Sequence, residues 1–110
     1  MSHPRERLDE LIHQPVRFSI MAALAAADEL EFSFVRDLVN ISDSQLSKQA
    51  TLLEGPGYVH IRKGYVGKRP RTWLSLTDAG RTAFDCHLET LREIAGGAAG
   101  GRGRITTDRA

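Results

Sequence analysis

Five cationic side chains, Arg62, Lys63, Lys68, Arg69 and Arg71, lie close together, and no carboxylate follows them before Asp78. The chain as a whole carries only +1, so this charge is local. Residues 1–54 hold five Lys/Arg against nine Asp/Glu and sum to −4, residues 55–77 hold five bases and no acid, and residues 78–110 balance at five and five. Charge gathered on one segment of a near-neutral chain makes a surface patch, and ammonium and guanidinium groups on glycine-flanked backbone suit the oxygens of a polyanion. A second set lies upstream. Ser44, Gln45, Ser47 and Lys48, with Gln49 at the margin, supply hydroxyls, amides and one cation at helical spacing, able to donate to and accept from flat polar edges. Catalytic chemistry is poorly supplied: the sequence has no glycine-rich phosphate cradle after a strand, no paired acid and base, and no Ser/Cys–His set with an orienting acid, so no enzyme is expected. His3, His13, His60 and His87 have no ligand spacing with one another, and a single cysteine, Cys86, excludes iron–sulfur and Cys-rich zinc sites. No metal or other cofactor is expected.

The elements that must position these groups follow from periodicity and punctuation. A chain of 110 residues that is 41% apolar holds one domain with one modest core. No apolar run approaches the ~20 residues a membrane span needs. The opening MSHPRERLDELIHQ alternates charges and lacks a signal-peptide core, and a lone cysteine fits a reducing compartment, so a cytoplasmic protein is expected. Leu8, Leu11 and Ile12 predict a short amphipathic helix over 5–13. Pro15 suits a first helical position, with Val16, Ile20, Ala23, Leu24 and Ala27 as the buried stripe behind it. Residues 31–33 read as extended, and Phe34, Val35, Leu38 and Val39 outline a brief helix over 34–40. Ser42 and Gln45 make a capping box for a helix over 43–54, whose buried stripe is Leu46, Ala50 and Leu53 and which Gly55-Pro56-Gly57 stops. Val59/Ile61 and Thr72/Leu74/Leu76 alternate as two strands around KGYVGKRP, which reads as a long hairpin loop. Thr77 caps a last helix striped by Phe84, Leu88, Leu91 and Ala95, with Ala79, Ala83 and Cys86 to one side and Cys86 expected as a small buried group. From Gly96 onward five glycines in eight residues predict a disordered tail over 96–110, leaving 1–95 as the folded domain.

Three helices, a basic hairpin and a closing helix form an α+β, mostly helical chain on the winged helix-turn-helix plan, with a two-stranded wing and a C-terminal dimerisation helix. The polar face of 43–54 is then placed for the major groove of double-stranded DNA. The basic run 62–71 is placed for the backbone or minor groove. Because one such helix spans only a few base pairs, a homodimer is expected, joined through Phe84, Leu88, Leu91 and Ala95 with Leu8, Leu11 and Ile12 as a second apolar edge.

The stretches PVRFSIMAAL and LSKQATLLEGPGYVHIRKGYVGKRPRTWLSLTDAGRTAF resemble the short MarR/ArsR-like winged-helix transcriptional regulators, over roughly residues 7 to 95. The motifs L-S-x-x-x-x-x-L-E, G-Y-V and L-T-x-x-G occur in the family's order and spacing. The resemblance implies a cytoplasmic, homodimeric, sequence-specific regulator, here expected to repress. It implies DNA contacts at Ser44, Gln45, Ser47 and Lys48, and in the wing at Lys68, Arg69 and Arg71. Two positions depart from the pattern: Pro56, which ends the helix early, and Gln49-Ala50, where histidine then leucine is commoner. ArsR-type sensors place an Asp-x-His pair on the closing helix, and Asp85 and His87 supply it, but the second ligand pair would fall on Ala98 and Gly101, which cannot coordinate. Trp73 is expected to pack across the wing and Tyr65 to lie along the strand. An effector, if one binds, would sit at the dimer interface or between wing and closing helix. The alternative function is a winged-helix module that binds protein or RNA without operator recognition.

Overall fold

Three of the four α-helices begin where a side chain takes up a free backbone N–H group. In the computed structural model, which describes residues 3–100, α1 (Pro15–Ala25) starts on the Gln14 side chain, which accepts from the Arg17 N–H, with Pro15 in the first turn. α2 (Phe32–Val39) ends at Asn40 in the left-handed conformation (φ 61), and α3 (Asp43–Glu54) starts three residues later under the Ser42 hydroxyl. Only half of the capping box forms, because the Gln45 side chain turns to Gln49 instead of back to Ser42. α4 (Asp78–Gly100) begins under Thr77, whose Oγ1 accepts from the Gly80 N–H at 2.9 Å.

Three antiparallel strands order as β1-β3-β2. β1 (Leu30–Glu31) pairs with β3 through Leu30↔Leu74 and Glu31↔Trp73, so the sheet has one strand more than the expected hairpin. β2 (Val59–Val66) and β3 (Arg69–Leu76) pair in register from Val59↔Leu76 to Val66↔Arg69. The segment expected as a long loop is therefore ladder. The chain reverses in two residues, Gly67 and Lys68, with Gly67 at φ +64 and Lys68 not in the positive-φ region, a type II′ turn that needs glycine first. Pro70 is tolerated because it lies opposite Tyr65 at an outer position, where its nitrogen faces the edge that β1 does not reach.

The core gathers Ile12, Ile20, Met21, Leu24, Val35, Leu46, Ala50, Leu53, Val59, Leu74 and Phe84. Several expectations are corrected here. Phe34 and Leu38 face solvent at 54% and 58% exposure, and of the apolar groups in α2 only Val35 is fully buried. The helix expected over 5–13 is a 3₁₀ turn at Pro4–Arg7 followed by turns. Asp9 Oδ1 accepts the Leu11 N–H and His87 Nδ1 accepts the Asp9 N–H, so side chains take the donors a helix would need. α4 continues to Gly100, so residues 96–100 are helical, whereas the rest of the expected tail, 101–110, lies outside the described residues. Cys86, expected buried, is exposed.

Its neighbour His87 is the buried one, at 2% exposure. A backbone N–H can only donate, so Nδ1 of His87 is the acceptor and Nε2 carries the proton toward His13 Nδ1, 3.3 Å away. Burial, and then the neighbouring His13, lower its pKa from the ordinary 6.5, with the Asp9 carboxylate opposing them. The folded state thus resists a proton that the unfolded chain accepts. Stability is fully present above about pH 6.5 and falls as pH drops below it, by up to about 1.4 kcal/mol per pH unit for one proton. Urea titrations at pH 7.5, 6.5 and 5.5 should show this loss in the native protein and a shallower one in His87→Gln. Equal slopes would remove His87 as the cause.

Candidate nucleic-acid interface

α3 turns four different sides to its surroundings. Leu46, Ala50 and Leu53 are buried against the core, while Ser44, Lys48 and Thr51 lie on the opposite, exposed side. Ser47, Thr51 and Glu54 border the sheet, and with Phe32, Ile61, Lys63, Thr72 and Leu74 they line a cleft of about 600 Å³. Gln49 faces Arg17 near the start of α1, with the exposed Gln45 beside it. Gln49 corrects the expected contact set: it is 8% exposed, accepts from Arg17 Nη1 at 2.9 Å and donates to Gln45 Oε1 at 3.4 Å. It belongs to the seam between α1 and α3, not to the outer face. Arg36 fixes the start of α3 from the preceding helix by donating to Asp43 Oδ1.

The strand alternation sorts the five hairpin cations. Arg62 and Arg71 lie on the face that also carries Trp73. Arg62 forms a two-pronged pair with Glu29, at 2.8 and 2.9 Å, and its guanidinium stacks 4.0 Å over the Trp73 ring. That pair holds the Glu29 carboxyl below the usual carboxylate range. Arg71 meets Glu31 at 3.5 Å. Both arginines therefore spend their charge on β1 and the turn before it. Lys63 lies on the other face, in the cleft with α3, while Lys68 and Arg69 stand at the tip; among the described residues these three have no carboxylate partner. Tyr65, at 72% exposure, lies on the Lys63 face, and Trp73 packs across the hairpin as expected.

The joint between hairpin and helices is built on backbone. The Thr77 N–H donates to the Tyr58 carbonyl at 3.1 Å, and the Thr77 hydroxyl donates to the Gly57 carbonyl just beyond α3. Gly80 packs so closely on Tyr58 that a Cβ there would stand 1.9 Å from its carbonyl oxygen. This is the physical content of the G-Y-V and L-T-x-x-G motifs: one clamps the end of α3 to the start of α4 through the other.

A capped polar helix in front of a cationic two-stranded hairpin is the arrangement that decides kinship. Residues 16–95 match the family described as the winged helix DNA-binding domain. The chain belongs to that family. It is 26% identical over 86 residues to an uncharacterised protein of Methanocaldococcus jannaschii, covering 78% of this chain and 94% of that one. Its structure superposes on a transcriptional regulator homologue from Pyrococcus horikoshii with a TM-score of 0.81 at 26% identity, covering 89% and 98% of the two chains. A MarR-family transcriptional regulator from Silicibacter pomeroyi shares the fold at a TM-score of 0.63 and 23% identity, covering 91% of this chain and 66% of that one. The fold is that of MarR-like winged helix regulators, within a family of DNA-binding domains. In that fold α3 is the second helix of the helix-turn-helix and β2–β3 the two-stranded wing.

Of the groups expected at a dimer contact, Ile12 and Phe84 are in the protomer's own core and are corrected to that role. Leu8, Leu11, Leu88 and Leu91 are half-buried, Ala95 is exposed, and Ile94, which the sequence reading omitted, joins the half-buried set. Arg7 reaches across from the N-terminal turn to Glu93 at 2.7 Å. The cleft lies between α3 and the wing. No helix among the described residues is long and apolar enough to cross a membrane.

Proposed function

We propose that the protein is a cytoplasmic, homodimeric repressor that recognises a specific sequence of double-stranded DNA. The observation that carries this reading is the shared exposure of two sets of groups. Ser44, Gln45, Ser47 and Lys48 crown the recognition helix, while Lys63, Lys68 and Arg69 lie along the wing without carboxylate partners among the described residues. In this reading α3 enters the major groove, where Gln45 and Lys48 reach base edges and the short Ser44 and Ser47 hydroxyls set the register. The wing tip follows the phosphates toward the adjacent minor groove. Arg62 and Arg71 support the wing from behind.

This division of labour has a measurable consequence. Four cations per protomer, Lys48, Lys63, Lys68 and Arg69, predict that log affinity falls against log salt with a slope of about three to four units per protomer. Changing Lys68 and Arg69 together to alanine should remove about two units of that slope and weaken specific and random duplexes by similar factors. Circular dichroism should stay unchanged, because the tip holds no core residue. Fluorescence anisotropy with a fluorescein-labelled duplex over a salt series decides it. An unaltered slope would separate the wing from DNA, and equal binding to single-stranded RNA would favour the RNA-binding alternative.

A further inference from the structure

Gln45 does not choose its own orientation. We infer that Arg17 and Gln49 are positioning residues that fix which end of the Gln45 amide faces DNA, so that Gln45 presents N–H donors and selects a base by its acceptor atoms. The inference rests on the reading of α3 as the helix that enters the major groove.

Arg17 is where the polarity originates, since a guanidinium donates and never accepts. Its Nε donates to the Leu11 carbonyl and its Nη1 to Gln49 Oε1. The oxygen of the Gln49 amide must therefore face Arg17, which turns Nε2 the other way, toward Gln45 Oε1. The Gln45 oxygen is drawn to the buried flank of α3, and its NH₂ is left on the exposed side. Reversing the Gln49 amide would set NH₂ against a charged donor in a place where Gln49 is shielded from water, leaving both groups without an acceptor. One bond from a residue of α1 thus propagates through two amides to the reading face.

In the major groove, guanine offers two acceptors, O6 and N7, and thymine offers O4, whereas adenine pairs one acceptor, N7, with the N6 donor and cytosine offers only the N4 donor. A glutamine free to use both ends pairs with adenine. A glutamine held donor-outward favours guanine or thymine: at adenine it can use N7 alone and meets the N6 amino group unfavourably, and at cytosine it finds only the N4 amino group.

Gln49→Glu tests this, because a carboxylate can only accept. It pairs with Arg17, draws the Gln45 NH₂ inward and turns the Gln45 oxygen outward. Duplexes selected from a random pool by the native protein should carry guanine or thymine at one position of each half-site, and Gln45→Ala should lose that preference, which assigns the position. Gln49→Glu should reverse it toward adenine or cytosine by about tenfold, the low end of what one specific base contact supplies. If circular dichroism shows Gln49→Glu unfolded, Gln49→Met decides: it removes the relay and should let adenine in at that position. The relay is overturned if native protein selects adenine there, or if a folded Gln49 variant keeps the native preference. A native protein that enriches no duplex sequence at all would instead overturn the reading of α3, and the relay with it.

Discussion

Gly80→Ala is expected to destabilise the protein by about 3 kcal/mol or more, the upper range for forcing atoms into a packed contact. The added Cβ would fall 1.9 Å from the Tyr58 carbonyl oxygen and 2.8 Å from its carbon. Both are backbone atoms, so no side chain can swing away. Moving them breaks the Thr77–Tyr58 hydrogen bond and pulls on the end of α3. Against a total stability of about 5–15 kcal/mol for a domain, that loss is large. Urea unfolding should show a much lower midpoint at similar slope. Gly96→Ala is the matched control: it lies in the same helix with nothing within 4 Å of its added Cβ, and should gain up to about 1 kcal/mol from helix propensity alone. Equal stability of Gly80→Ala and native protein would mean that α4 and Tyr58 are not in contact.

Leu91→Glu should abolish tight operator binding while sparing the fold. A single recognition helix reads too few base pairs to compete with genomic DNA, whereas two helices on a two-fold axis read half-sites about 34 Å apart or a multiple of that. The core claims Phe84 and Ile12, so the apolar surface available to a partner narrows to Leu8, Leu11, Leu88, Leu91, Ile94 and Ala95. Leu91 is half-buried and outside the core cluster, so a carboxylate there disturbs a contact between protomers more than the protomer itself. Loss of the second half-site should cost about a hundredfold or more in affinity. Sedimentation at micromolar concentration should give twice 12.2 kDa for native protein and 12.2 kDa for the variant. A native protein sedimenting as the monomer would refute the dimer.

What could be read without coordinates was the chemistry of near neighbours in sequence. Ser42 and the Gly-Pro-Gly stop bounded α3 at 43–54, and Thr77 opened α4, because caps and breakers act within one turn. The extent of the wing was hidden. Glycine, lysine and proline in KGYVGKRP read as loop, yet two of them serve a tight turn and an open edge, and the cross-strand register absorbs the rest. In an eight-residue α2 with five apolar groups, nothing local says that Val35 faces inward and Phe34 and Leu38 outward. The partition of the cations was also illegible. Glu29 and Glu31 sit some thirty residues before Arg62 and forty before Arg71, and only the pairing of β1 with β3 brings them together. Gln49 looked like a surface amide because its one deciding neighbour, Arg17, belongs to another helix.

The two-residue turn at Gly67-Lys68 makes the wing a ruler. Eight paired residues on each side span about 26 Å at roughly 3.3 Å per residue, and no slack segment lengthens or shortens that reach. Conformational freedom at the tip is surrendered when the chain folds, so gripping a phosphate there costs little further ordering. The same stiffness removes tolerance: a duplex whose groove width carries its backbone out of line with the tip loses the contact altogether, because the arm cannot stretch to recover it.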